Sequence, residues 1–341
     1  MIDANRPFPW YEIHFLDVGD ADCIAIWYKQ DALSDASVAL IDAGNVSDAG
    51  EIKKFLKNQF GTLCIDLAVC THPDSDHKGG FFELLEDEDV VIREFWWKNP
   101  ARHMSEDDFA KMHRLDSMVV ACERVYNHPT DPSKNLLNLA REKVVDGKCY
   151  NVKTGRKHAV IPLTVLGPTD DYYRVAAVEI VEKFAELKCD TDTSEYDELE
   201  ELTEEDAKSV IDTVKDESPT NKGSLILYFA PTSSMRFLLA GDAAASSLRI
   251  VYDANKNILT GCILKVPHHG SKHNLNSSLI DDLKPTQSVI SAVGSKKHPS
   301  SAIVRCLSKH GDVYLTRKSK GIYYNDQPTK NPATPLKRKV V

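Results

Sequence analysis

Four potential metal-ligating side chains, His72, Asp74, Asp76 and His77, fall within the run Thr71-His72-Pro73-Asp74-Ser75-Asp76-His77-Lys78-Gly79-Gly80. The residues before it, Ile65-Asp66-Leu67-Ala68-Val69-Cys70, are apolar enough for a buried strand. Behind it Gly79-Gly80 read as a chain break, with Phe81-Phe82-Glu83-Leu84-Leu85 starting a helix. Strand, ligand-dense turn and helix in succession place chemistry at the carboxyl end of a sheet in an α/β protein. Closely spaced imidazoles and carboxylates suit a catalytic divalent metal, because neutral nitrogen and anionic oxygen donors converge on one ion. A solvated polar loop also collects His and Asp, but rarely four donors at alternate or adjacent positions before a double glycine.

The segment THPDSDHKGG resembles the HxHxDH signature of the metallo-β-lactamase superfamily, in a variant where the second His is Asp. Within that superfamily the chain is similar to the hydrolase domain of bacterial DNA-uptake competence proteins and its stand-alone relatives. The resemblance runs over about residues 11–326. Asp17-Val18-Gly19 and Leu40-Ile41-Asp42-Ala43-Gly44 resemble the "LDVGxGD…LIDxG" opening, with Ala21 where the family usually has Gly. Asn221 through Asp242 resembles "NxxSLVL…LLTGDA", and Lys265-Val266-Pro267-His268-His269-Gly270-Ser271 matches "KVxHHGS".

The bulk composition leaves room for such a fold. With 341 residues and 42% hydrophobic content, the chain can bury a sizeable core. A net charge of −9 argues against a surface built for indiscriminate nucleic-acid binding. No apolar run reaches the roughly 18 residues that span a bilayer, and the start lacks the pattern of a secretory signal. Eight scattered cysteines without a Cys-x-x-Cys pair read as reduced core thiols, so the expected compartment is cytoplasmic. The expected domain is 1–326, with an acidic, mostly helical insertion at about 169–217 and a disordered basic tail over 327–341. The insertion is either a solvated face, a lid, or a surface for a partner protein.

Along the chain, residues 11–28 read as strand, turn and strand, and Val38–Gly44 as a third strand. Asp17 and Asp42 end strands and serve either as turn formers or as supports that orient metal ligands. Val90–Trp97 reads as one strand, whose tandem Trp is core or pocket wall, with base stacking as the alternative. Residues 103–145 read as helical, with Phe109, Met112, Leu115, Met118 and Val119 as the buried stripe. A hairpin over Leu225–Asp242 delivers Asp242 to a strand end, Ile263–His269 forms another ligand-bearing end, and Val313–Thr316 closes the fold. His298 precedes Pro299 either at the site mouth or as an ordinary surface residue.

Three separate strand ends thus carry metal-ligand residues, which by itself suggests a one- or two-metal hydrolase. The resemblance implies an αββα sandwich, two mixed β-sheets flanked by helices, with metals at one edge. It implies His72 and Asp74 on one ion, Asp76, His77 and His268 on the other, and Asp242 between them. His269 is then a neighbour or proton carrier, with the order of His268 and His269 open to reversal. Asp76, His298 and His269 are the candidate catalytic groups. Asn221 stands near a position where many superfamily members carry a further His ligand. Asp in place of His at residue 74 hardens the first site, so Mn²⁺ or Mg²⁺ stands beside Zn²⁺, with one or two ions per chain. The resemblance further implies a phosphodiesterase or nuclease using metal-bound hydroxide on DNA, RNA or a nucleotide. Lys78, Lys265, Lys272, Lys296 and Lys297 flank the ligand segments either as a cationic rim for phosphates or as ordinary solvated lysines, Lys78, Lys272 and Asn221 being the candidate substrate contacts. The alternatives are hydrolysis of a small ester, lactone or thioester, or a non-catalytic scaffold that kept the metal site.

Overall fold

Short runs of apolar, largely β-branched and aromatic residues make Trp10–Phe15, Ile24–Lys29 and Ser37–Ile41 an antiparallel meander, β1, β2 and β3. Three parallel strands extend it: β5 (Leu67–Val69), β7 (Phe95–Trp97) and β8 (Cys149–Asn151). The second half of the chain repeats this plan. Its meander is β9 (Leu163–Gly167), β10 (Ile226–Phe229) and β11 (Phe237–Leu239). The parallel strands β12 (Ile263–Lys265), β13 (Gln287–Ile290) and β14 (Asp312–Leu315) follow. The last strand, β15 (Ile322–Asn325), crosses back and pairs antiparallel with β1, completing a seven-stranded sheet beside a six-stranded one.

This computed structural model describes residues 7–105, 107–108, 121–185, 202–213, 215, 218–295 and 298–326. The expected stripe Phe109–Val119, Cys189, the acidic run through residue 201, Lys296, Lys297 and the tail from Gln327 lie outside the described residues.

Both faces of each sheet carry apolar residues, so each packs on the other sheet inside and on helices outside. Between the sheets, Ile13, Phe15, Ile41, Val69 and Trp96 meet Leu163, Leu227, Phe237 and Val289. Outside the first sheet, Leu40, Ala68 and Phe95 pack on Ile52, Phe81, Phe82 and Ile180 from the helices Ala49–Phe55, Ser75–Glu86 and Asp170–Ala185. Outside the second, Leu238, Leu264 and Ile290 pack on Leu248, Ile280 and Ile303 from Ala245–Leu259, Ser277–Leu283 and Ser301–Leu307. This is the expected αββα sandwich. The two described helices between residues 169 and 217 sit in different outer layers. Asp170–Ala185 buries Tyr173 and Ile180 against the first half, and Glu204–Thr213 buries Ala207 and Ile211 against the second. No described helix is long and apolar enough to cross a membrane.

Several local expectations are corrected. The strand expected over Ile65–Cys70 divides into β4 (Cys64–Ile65) and β5, and that over Val90–Trp97 into β6 (Val91–Ile92) and β7. β4 and β6 form their own two-stranded parallel pair. The division falls at Asp66, whose carboxylate accepts the Val38 N–H at 2.8 Å. Trp96 faces the inter-sheet core and Trp97 the helical layer, both almost fully buried, so base stacking by this pair is excluded. β15 went unanticipated, because its partner β1 lies some three hundred residues away in sequence.

The double glycine does not break the chain. The helix begins at Ser75 and runs straight through Gly79-Gly80 to Glu86. A Cβ on Gly80 would lie 2.1 Å from the Ala43 carbonyl oxygen, and one on Gly79 would lie 2.5 Å from the Val46 nitrogen. The glycines let the helix lie directly on the turn after β3, where Ala43 N–H donates to the His77 carbonyl at 2.8 Å.

Candidate metal centre

The carboxyl ends of β3, β5, β11 and β12 meet at one edge of the sandwich, where parallel strands place their loops. Asp74 occupies the N-cap of the helix Ser75–Glu86 but makes no side-chain capping bond. Its carboxylate turns away instead, accepting from Thr220 Oγ1 at 3.0 Å and lying 3.6 Å from His72 Nε2. The close helix approach carries His77 to the centre, with its Nδ1 2.8 Å from Asp42 Oδ2. Asp42, His268 and His269 all adopt positive φ, at 57°, 48° and 52°. Left-handed backbone at non-glycine residues is costly, and its concentration here marks turns held by their function.

Asp242 is the hub. Its Oδ2 lies 3.3 Å from His77 Nε2, 3.8 Å from His72 Nε2 and 3.9 Å from His269 Nε2. Asp76 Oδ2 lies 3.1 Å from His269 Nε2 and 3.6 Å from His77 Nε2. Two donors each about 2.1 Å from a shared tetrahedral ion stand roughly 3.4 Å apart. Asp76, His77, Asp242 and His269 bring their ligand atoms together on that scale. Moreover, His72 Nε2 and His77 Nε2 are buried without a hydrogen-bond partner among the described residues. A buried imidazole nitrogen is rarely left unpaired, so the donor set fits divalent metal.

Asp42 orients both imidazoles. It bonds His77 directly, and it accepts the Thr71 hydroxyl at 2.7 Å, while Thr71 Oγ1 lies 3.1 Å from His72 Nδ1. Of the two ring nitrogens on each histidine, Nδ1 is thereby committed and Nε2 is left for an ion. His269 follows the same rule, with Nδ1 2.9 Å from the Ser291 carbonyl. Asp17 ends up elsewhere, 3.7 Å from Arg317.

Charge follows from this crowding. Burial, and then the neighbouring His77, push the His72 imidazole below its ordinary value. Burial would lower His77 too, but the carboxylates of Asp242, Asp76 and Asp42 override it and raise His77 well above the usual range. His269 is raised likewise against its burial, by Asp242 and Asp76. Asp76 and Asp242 are held below the ordinary carboxylate range despite burial, chiefly by His77.

Of the two orders left open for the paired histidines, the geometry favours His269 toward the donor cluster. His269, not His268, joins the donor cluster, while His268 Nδ1 lies 3.1 Å from both Asn221 Nδ2 and Asn274 Oδ1. The left-handed turn at both residues sends successive side chains apart, which sequence order alone does not reveal. Asn221 is buried against His268 rather than in the cluster. His298 is buried beside them, with ring centroids 5.7 Å from His268 and 5.8 Å from His269. The cationic rim is also corrected. Lys78 is 5% exposed and donates to the Val125 carbonyl at 3.0 Å. Lys265 is fully buried and ion-paired with Asp22, and Lys272 is half-buried. Asp22, Ser224, whose Oγ accepts the Asp242 N–H at 3.1 Å, Asn274, which donates to the Asp242 carbonyl at 3.0 Å, and Ser291 were missed, since a residue that braces a donor has no spacing to betray it.

With this geometry established, the comparisons with known proteins decide the family. The metallo-beta-lactamase superfamily model matches residues 16–294. The chain belongs to that superfamily. It is also similar to ComE operon protein 3 of Bacillus subtilis (strain 168), at 32% identity over 108 residues. That match covers 31% of this chain and only 14% of the length of the Bacillus protein. Among solved structures, a variant of the CmlA beta-hydroxylase is similar over 91% of this chain and 52% of its own, with TM-score 0.40 and 9% identity. MEM-A1, a subclass B3 metallo-beta-lactamase from a soil metagenome library, is similar over 90% of this chain and 94% of its own, with TM-score 0.36 and 11% identity. The superfamily is one of metal-dependent hydrolases that use divalent metals, typically zinc.

Proposed function

We propose that the protein is a metal-dependent phosphodiesterase or nuclease. The observation that carries the hydrolytic part is the position of Asp242 Oδ2, within 4 Å of His72, His77 and His269 at once. His72 and Asp74 would hold one ion, Asp76, His77 and His269 the other, with Asp242 between them. Divalent ions there would lower the pKa of bound water from 15.7 to about 7 and so supply a nucleophile at neutral pH. Three carboxylates among six donors make the set harder than an all-histidine one, which supports Mn²⁺ beside Zn²⁺. Asp76 is fixed between two imidazoles as a donor, and His298, buried beside His268 and His269, can carry a proton. Support for a phosphodiester comes from the likeness of the motifs to the competence-protein hydrolase segment. Lys272 remains a candidate contact for the phosphate. Residues 169–217 are proposed as an insertion into one hydrolase domain.

The test is hydrolysis of bis-p-nitrophenyl phosphate and single-stranded DNA by protein supplied with Zn²⁺ or Mn²⁺. Metal-dependent cleavage that falls at least a hundredfold in Asp242→Ala is expected. Acyl-ester hydrolysis without any phosphodiester cleavage would overturn the substrate class.

A further inference from the structure

Lys265, the last residue of β12, is among the largest wholly buried side chains of the protein. Its ammonium ion-pairs with Asp22, donates to the Gly241 carbonyl at 3.0 Å, and lies 3.8 Å from Asp242 Oδ1. A fully desolvated lysine pair is poor value for stability, since apolar residues of like volume often serve as well. Its placement is more telling. Asp242 points Oδ2 at the three imidazoles, while Oδ1 faces Lys265 and accepts the His268 N–H at 3.1 Å. Asp22 sits behind the same histidines, with its oxygens 3.8 Å from His77 Nδ1 and 3.9 Å from His269 Nδ1, and its N–H donates to the Asp76 carbonyl at 3.2 Å.

We infer that Lys265 is a positioning residue for the metal centre: a fixed internal cation that anchors the Gly241–Asp242 turn and the Oδ1 side of Asp242, so that Oδ2 is presented between the two ion positions. This inference rests on the metal-hydrolase reading but not on the identity of the substrate.

The test compares Asp22→Asn, in which the ammonium keeps the Gly241 carbonyl and Asp242 as neighbours, with the double variant Asp22→Asn/Lys265→Met, which removes both charges of the pair. Affinity for Zn²⁺ and Mn²⁺ is measured by competition with a chromogenic chelator, beside the thermal midpoint of the metal-free protein. Asp22→Asn retains the ammonium beside Asp242 and sets the baseline, since any affinity it loses belongs to Asp22. Removing Lys265 as well is expected to weaken at least one equivalent a further tenfold or more below Asp22→Asn, with the metal-free midpoint held. Equal affinity in the two variants, or wild-type affinity in the folded double variant, would overturn the inference. So would unfolding of the double variant alone, which would make Lys265 a stability residue. Failure of the phosphodiesterase proposal shows differently, as full metal binding without phosphodiester cleavage.

Discussion

Lys78 shows how far a residue's place in the sequence can mislead about its task. It directly follows His77, yet the helix turns it inward, and burial pushes its ammonium from the ordinary lysine range down to about 8. An unfolded lysine titrates near 10.4, so between about pH 8 and 10.4 the unfolded chain binds more protons than the folded one. Stability from this group is therefore fully present above about pH 10.4 and lost as pH falls through 8. Lys78→Met should flatten that part of the stability–pH curve in urea titrations, while KM for bis-p-nitrophenyl phosphate stays within about threefold of wild type. A large rise in KM with unchanged stability would restore the substrate-contact role. The convergence of His72, Asp74, Asp76, His77 and Asp242 was legible because donor residues at short spacing or at strand ends have few other uses. The choice between His268 and His269 was not, because it depends on a left-handed turn that two identical residues cannot announce.

At the scale of the element, the helix Ser75–Glu86 is set by its glycines. Its apolar face buries Phe81, Phe82, Leu84 and Leu85, each worth about 1.5–3 kcal/mol of transfer from water. That face explains the packing but not the register that brings His77 to Asp42, which requires backbone contact at Gly79 and Gly80. Gly80→Ala would force a methyl group onto the Ala43 carbonyl oxygen, and overpacking of this kind costs about 1–3 kcal/mol. Urea unfolding should show that loss, together with weaker metal binding as His77 is displaced. An Ala variant as stable as wild type would contradict the close-contact role. From sequence, adjacent glycines read as a break, because the partner backbone lies in a turn more than thirty residues earlier. Strands, by contrast, were mostly legible as short apolar runs, failing where Asp66 and the Arg93-Glu94 pair divide one.

For the molecule as a whole, two halves of matching topology each supply part of the candidate metal centre. The first contributes His72, Asp74, Asp76 and His77 from the end of β5, and the second Asp242 and His269 from the ends of β11 and β12. Neither half alone completes a donor set, so the site reports directly on the packing of one sheet against the other. The sandwich itself was legible through its signature segments, whereas the return of β15 to β1 depends on closure of the whole chain. The most direct test is elemental analysis of metal-loaded wild type, His269→Ala and His268→Ala after removal of free ions. Two equivalents per chain are predicted for wild type and for His268→Ala, and no more than one for His269→Ala. Two equivalents in His269→Ala, with loss in His268→Ala, would contradict the assignment and return the ligand role to His268.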